Sequence, residues 1–262
     1  MSDKPNILIG TPCYGGQLTV PYFRAVTRLK VELDSQGIGL DHIFRSSESL
    51  ISRGRNSIVA DFLGRPEFTH LLFIDADIGF PSRAVTRLLE RNVPLSGTAC
   101  PMKSIDWNAA KEHAATAKDG DDLKAKSLQY AVNRYFDGDR PENIDIKDGF
   151  IEVDYIGTGF MLIARLVFDR MRETYPELQY KNDIVGYDSE YTKDNFWAFF
   201  DTRIEPKTRR YLSEDFSFCH RWTQEMGETI SVDIATTMEH MGRFHFRGSF
   251  LASIMSPSQN TR

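Results

Sequence analysis

The sequence predicts an α/β fold built on a mostly parallel sheet, and three observations carry that prediction. Leu71-Leu72-Phe73-Ile74 is a run of four apolar residues without helical periodicity, the pattern of a strand covered on both faces. Similar short apolar runs alternate with amphipathic stretches of helical spacing through the first hundred residues. The composition is that of a globular chain: 262 residues, 41% hydrophobic and 26% charged, enough for a substantial core.

Asn6 to Gly10 reads as the first strand. Thr11-Pro12-Cys13-Tyr14-Gly15-Gly16 reads as the loop that ends it, because Pro12 and the two glycines interrupt extended structure. No Gly-x-Gly-x-x-Gly fingerprint follows, so a nicotinamide cofactor is not indicated. A helix is predicted from Pro21, with Tyr22, Val26, Leu29 and Leu33 on one face and Gly37 as its stop. Asp41 to Arg45 forms a short second strand. Leu50, Ile51, Ile58, Val59 and Phe62 mark a second amphipathic helix from Ser49 to Leu63-Gly64, with Arg53, Arg55 and Asn56 near its start. Two arginines two apart cannot both face the core, so one reading is a solvated helix face and the other puts one of them on a phosphate or an acidic pair. After the central strand, Arg83 to Arg91 is helical and Val93 to Ala99 extended. The order β-α-β-α-β-α-β implies a Rossmann-like sheet.

Composition changes between Lys103 and Asp148. The span from Lys111 to Asp122 is rich in Lys, Asp and Ala, and Asp137 to Glu142 is a turn cluster, so we read residues 103–148 as a mobile insertion with one or two surface helices, a lid or a decoration. Glu152 to Ile156 resumes a strand, followed by Gly157-Thr158-Gly159, where backbone can approach a ligand closely. Val167, Met171 and Tyr175 share a helix face before Pro176. In the loop-rich span from Gln179 to Arg210, Phe196-Trp197-Ala198-Phe199-Phe200 reads as a strand or a core cluster. Ser213 is a suitable cap for a helix carrying Phe216, Cys219, Trp222 and Met226; Thr229 to Ile234 is the last predicted strand.

The acidic pair that ends the central strand is the main candidate for chemistry. In extended chain Asp75 and Asp77 project to the same side, toward the carboxyl edge of the sheet where α/β proteins bind ligands. Two such carboxylates suit an oxygen-preferring divalent cation that could hold a diphosphate. The plainer alternative makes Asp77 the start of a turn and Asp75 a helix cap. Glu214 and Asp215 have a similar alternative, since acids are favoured in any first helical turn, and His240 beside Gly242 has one as a surface histidine. The net charge of −5 argues against a nucleic-acid partner. Three dispersed cysteines with no Cys-x-x-Cys spacing fit a reducing compartment, and no apolar run reaches the length of a membrane span, so a cytoplasmic location is expected.

Taken in order, these stretches resemble the GT-A fold glycosyltransferases, most closely the family 2-like inverting type, from Ile7 to about Gly248. Thr11-Pro12-Cys13-Tyr14 looks like the nucleoside-binding first loop. Arg53-Gly54-Arg55-Asn56 followed by Phe73-Ile74-Asp75-Ala76-Asp77 is similar to the family's Ala-Arg-Asn and Phe-Leu-Asp-Ala-Asp signatures, with Gly54 replacing the usual Ala. Gly157-Thr158-Gly159-Phe160 looks like the acceptor-side loop, and Ser213-Glu214-Asp215 with Arg221 and Trp222 like the Glu-Asp motif at a helix start.

The resemblance implies one domain: a nucleotide-binding half over 1–102, the insertion, an acceptor-side half over 149–250 and a tail over 251–262. It implies a nucleoside-diphosphate sugar as donor and a glycan, lipid-linked or other hydroxyl as acceptor. Thr11, Pro12, Tyr14, Arg53, Arg55, Asn56 and Asp75 would bind donor, while Asp75, Asp77 and His240 would hold Mn2+ or Mg2+. Gly157, Thr158 and Glu214 would lie on the acceptor side, with Asp215 as general base. A nucleotidyltransferase, a retaining glycosyltransferase and a non-catalytic nucleotide-sugar-binding scaffold are the rival readings. The first is disfavoured because no Gly-rich, Arg/Lys-bearing triphosphate loop follows the first strand.

Overall fold

Alternation of apolar side chains along the strands divides the interior into two cores. In the first strand, β1 (Asn6–Cys13), Ile7 and Ile9 join one core and Leu8 the other. In the central strand, β3 (His70–Ile74), Leu72 and Ile74 sit with the first set and Leu71 and Phe73 with the second. This period-two pattern means that both faces of the sheet are covered. The computed structural model describes residues 4–133, 144–187 and 189–244; the turn cluster at 137–142 and the tail at 251–262 lie outside them.

The other strands of the main sheet are β2 (Gly39–Ser46), β4 (Leu95–Thr98), β5 (Phe150–Val153), β6 (Phe160–Ala164) and β7 (Ile230–Asp233). Among the described residues this sheet has seven strands in the order β2-β1-β3-β6-β4-β7-β5. Strands β1, β2 and β3 are mutually parallel, as are β4 and β7. Strand β6 lies antiparallel between β3 and β4, and β5 is antiparallel to β7.

Helices α1 (Val20–Gln36) and α3 (Arg83–Arg91) cover one face. Helices α2 (Ile51–Leu63), α6 (Arg165–Thr174) and α7 (Glu214–His220) contribute to the opposite core. Helix α1 stops where the sequence predicts, at Gly37 with φ 68°. Helix α2 is buried along most of its length, and the Arg165 guanidinium caps its end by donating to the carbonyls of Phe62 at 2.8 Å and Arg65 at 2.6 Å. That clamp matters because α2 carries Arg55.

Two sequence expectations about strands need correction, while the core reading of the aromatic run holds. Strand β1 runs through Pro12 to Cys13 instead of ending at Gly10, because β2 pairs with it as far as Cys13. Pairing with β3 stops at Gly10, so beyond it one side of β1 lies off the main ladder, the setting in which proline is tolerated. The strand expected at Glu152–Ile156 is divided into β5 and a short strand, Tyr155–Ile156, which pairs with Val132–Asn133. The aromatic run at 196–200 contributes buried core residues, with Phe200 stacked on Phe218 at a centroid distance of 4.4 Å.

The 103–148 span does carry two surface helices, α4 (Trp107–His113) and α5 (Gly120–Lys126). They are flanked by the antiparallel strands Pro101–Ile105 and Leu128–Tyr130. No helix among the described residues is long and apolar enough to cross a membrane.

Candidate functional site

The acidic pair does not lie on extended chain. Strand β3 ends at Ile74, and the Ile78 amide donates to the Asp75 carbonyl at 3.1 Å, closing a turn across Asp75-Ala76-Asp77. Strand alternation therefore does not set where the carboxylates point. Asp75 accepts from Arg55 Nη2 at 3.1 Å. Asp77 accepts from Lys103 Nζ and faces His240 Nε2 at 3.2 Å. The antiparallel pairing of Ile78–Gly79 with Glu239–His240 is what brings His240 there.

Beyond the carboxyl ends of β3 and β4 lies a cavity of about 260 Å3, lined in part by Arg55, Asp75, Gly157, Thr158, Glu214, Asp215 and His240. Arg55 is its organising charge. Its Nε donates to Glu214 at 3.3 Å, so one buried guanidinium ties the acidic turn to the start of α7. Burial disfavours the charged guanidinium, but Asp75, Glu214 and Asp215 more than offset this and raise its pKa. Its Nη1 is buried without a hydrogen-bond partner among the described residues.

Ser213 does not cap α7 with its side chain as expected; its hydroxyl donates to Asp215 Oδ1, which also accepts from the Phe216 amide at 2.8 Å. A short polar side chain often satisfies such local bonds in preference to the helix end. Asp215 Oδ2 lies 3.6 Å from where a Cβ on Gly157 would stand, and Asp75 Oδ2 lies 3.6 Å from the same point on Gly159. The two glycines thus leave both carboxylates open to close approach.

Burial raises the pKa of Asp77, but the bonds from His240 and Lys103 prevail and hold it below the usual carboxylate range. The bond to Asp77 raises the His240 pKa against the opposing effect of burial.

Several predicted donor residues are not brought to the cavity. The Thr11 hydroxyl is buried 2.6 Å from the Tyr22 hydroxyl, which in turn lies 3.1 Å from His42 Nε2. Pro12 is part of β1, and Tyr14 is exposed. Arg53 turns outward onto Glu48, with its Nε at 2.7 Å. Asn56 pins the Phe200 backbone, accepting from its amide at 2.8 Å. Conversely, Cys100, Pro101, Met102 and Ala131 line the cavity although nothing in their sequence setting marks them. Lys103 is also missed; its contact with Asp77 spans 26 residues.

The three candidate metal ligands do not gather as one set. Among the described residues no three His, Cys, Asp or Glu side chains come together to hold an ion. Asp77 and His240 do suit a shared cation. With Nδ1–H donated to the Pro101 carbonyl, 2.7 Å away, a cation that displaced the Nε2 proton would find the Nε2 lone pair beside Asp77 Oδ1. A site with two protein donors would take its remaining ligands from phosphate and water, a usual arrangement for Mg2+.

No protein-family model matches the chain, and no curated protein matches it either. Among solved structures it is similar to A197 from STIV at 14% identity, with 91% of this chain and 86% of that one covered and a TM-score of 0.48. It is similar to a UDP-glucose pyrophosphorylase complexed with UDP-glucose at 10% identity, covering 90% and 92%, with a TM-score of 0.41. A glycosyltransferase involved in the glycosylation of the major capsid of PBCV-1 is similar at 11% identity, covering 72% and 73%, with a TM-score of 0.33. The strand order itself establishes the fold class: a mixed α/β protein whose central sheet is mostly parallel.

Proposed function

We propose that the cleft binds a nucleoside-diphosphate sugar and transfers the sugar, with inversion, to a hydroxyl of a glycan, lipid-linked or other acceptor. The observation that carries this reading is the meeting in one cavity of Asp75 from the turn after β3 with Glu214 and Asp215 from the start of α7, bridged by Arg55. Asp77 and His240 would hold Mn2+ or Mg2+, and the imidazole favours Mn2+. Bound there, the cation would neutralise the charge of the leaving diphosphate. Arg55 fixes Asp75 for contact with the donor. Asp215 takes the proton of the acceptor hydroxyl through Oδ2, because Oδ1 is occupied by Ser213 and Phe216. Thr158 and the two glycines beside it would admit the acceptor.

Calorimetry with Mn2+ and a panel of nucleoside-diphosphate sugars, coupled to assay of released nucleoside diphosphate, tests the proposal. Asp215→Asn should retain donor binding while transfer falls by roughly 10²–10⁴-fold. Wild-type turnover in that variant would remove Asp215 from the base role. Donor binding without turnover by the native chain would favour a scaffold, and analysis of the product anomer distinguishes inversion from retention.

A further inference from the structure

We propose that Lys103 is a tethered cation that guards Asp77: its ammonium excludes a bare divalent ion and then moves onto the diphosphate when metal and diphosphate arrive together. This rests on reading the cleft as a diphosphate-donor site.

Lys103 lies on the strand Pro101–Ile105, and its Nζ donates to Asp77 Oδ2 while His240 faces Oδ1. Both oxygens of Asp77 thus already have partners. An ammonium and a divalent cation repel each other when they meet at one carboxylate, so an ion entering alone must displace Lys103.

Two features make that displacement practicable. The Lys103 side chain is 42% exposed, so it can leave Asp77 without stranding a buried charge. Lysine is a point charge on a flexible stem with three donors, well suited to exchange a carboxylate for a phosphate oxygen. The stem rests over Gly242, where an added Cβ would stand 3.0 Å from Cδ and 3.1 Å from Cγ; the absent side chain is what lets the lysine lie along this path. Arg55 is the contrasting cation: its side chain is only 5% exposed and is held by two carboxylates, so it is fixed in place.

A cation that opposes bare metal but joins the metal–diphosphate complex creates positive coupling between metal and diphosphate, reciprocal in both directions. The full chain should therefore prefer a preformed Mn2+–pyrophosphate complex over Mn2+ alone.

Binding of Mn2+ and of Mn2+–pyrophosphate, followed by calorimetry and by the Mn2+ electron paramagnetic resonance signal, tests this. Lys103→Met should bind Mn2+ alone roughly tenfold more tightly than the native chain and narrow the preference for the complex by a similar factor. Lys103→Arg should keep the native preference. Equal binding of bare Mn2+ by native chain and Lys103→Met, with loss only in Asp77→Ala, overturns the guarding role and leaves the donor site standing. If the native chain and Lys103→Met bind neither form better than Asp77→Ala does, the donor site falls as well.

Discussion

Asp77 and Asp233 both lie near the carboxyl ends of parallel strands, yet their surroundings are opposite. Asp233 is the last residue of β7, and its side chain is fully buried. Arg87 donates Nε to Oδ2 at 2.8 Å and Nη2 to Oδ1 at 3.1 Å, the Thr236 hydroxyl lies 2.6 Å from Oδ2, and the Ala235 amide donates to Oδ1 at 2.9 Å. Those four bonds use essentially all its lone-pair sites. Asp77 is 28% exposed and depends on a flexible lysine and a histidine. A carboxylate saturated by its own fold ties α3 to the sheet; one with an exchangeable partner can meet a ligand.

The largest effect that could break this contrast is expected at Arg87. Arg87→Ala leaves Asp233 buried without its cation and should cost roughly 3–5 kcal/mol of stability in urea unfolding at pH 7. A loss below about 1 kcal/mol would place Asp233 with the exchangeable carboxylates.

The pH dependence sharpens the same point. Burial pushes the Asp233 pKa up, but the bonds from Arg87, Thr236 and Ala235 prevail and hold it below the ordinary value. Its stabilising contribution is therefore fully present above the unfolded pKa of about 3.9 and lost as pH falls through the lower folded value. Removing Arg87 lets burial push the Asp233 pKa above its native value, so the deficit of Arg87→Ala should shrink, by on the order of 1 kcal/mol per pH unit, as pH falls through that raised value and until Asp233 of the native chain is protonated as well. A deficit constant from pH 7 to pH 3 would show that lost packing, not charge, is responsible.

An intermediate case is the Thr11 hydroxyl, fully buried and paired with the Tyr22 hydroxyl. Tyr22→Phe removes that partner and should cost about 1–3 kcal/mol by chemical denaturation. The smallest effect is expected at the exchangeable site: Asp77→Ala should change stability by less than about 1 kcal/mol while abolishing Mn2+–pyrophosphate binding. A destabilisation comparable to that of Arg87→Ala would end the distinction between the two carboxylates.

Local pattern carried much of the architecture. The α1 stop at Gly37, the buried run of β3 and the helix over Arg83–Arg91 follow from spacing and glycine geometry, which act over a few residues. The placement of β6 between β3 and β4 was not legible, because a buried apolar strand such as Phe160–Ala164 carries no mark of its neighbours. Spacing also could not choose between Arg53 and Arg55. Helix α2 places the first outward onto Glu48 and buries the second between Asp75 and Glu214.

The chain alone determined that a hidden β-segment would lead into two acids and that two further acids would open a helix, since those facts concern neighbours along the backbone. Tertiary structure decided which charges face which: Arg55 meets acids 20 and 159 residues further along the chain, and His240 reaches Asp77 through a strand pairing. Coulombic and hydrogen-bond energies depend on separation in space, and only folding sets that separation.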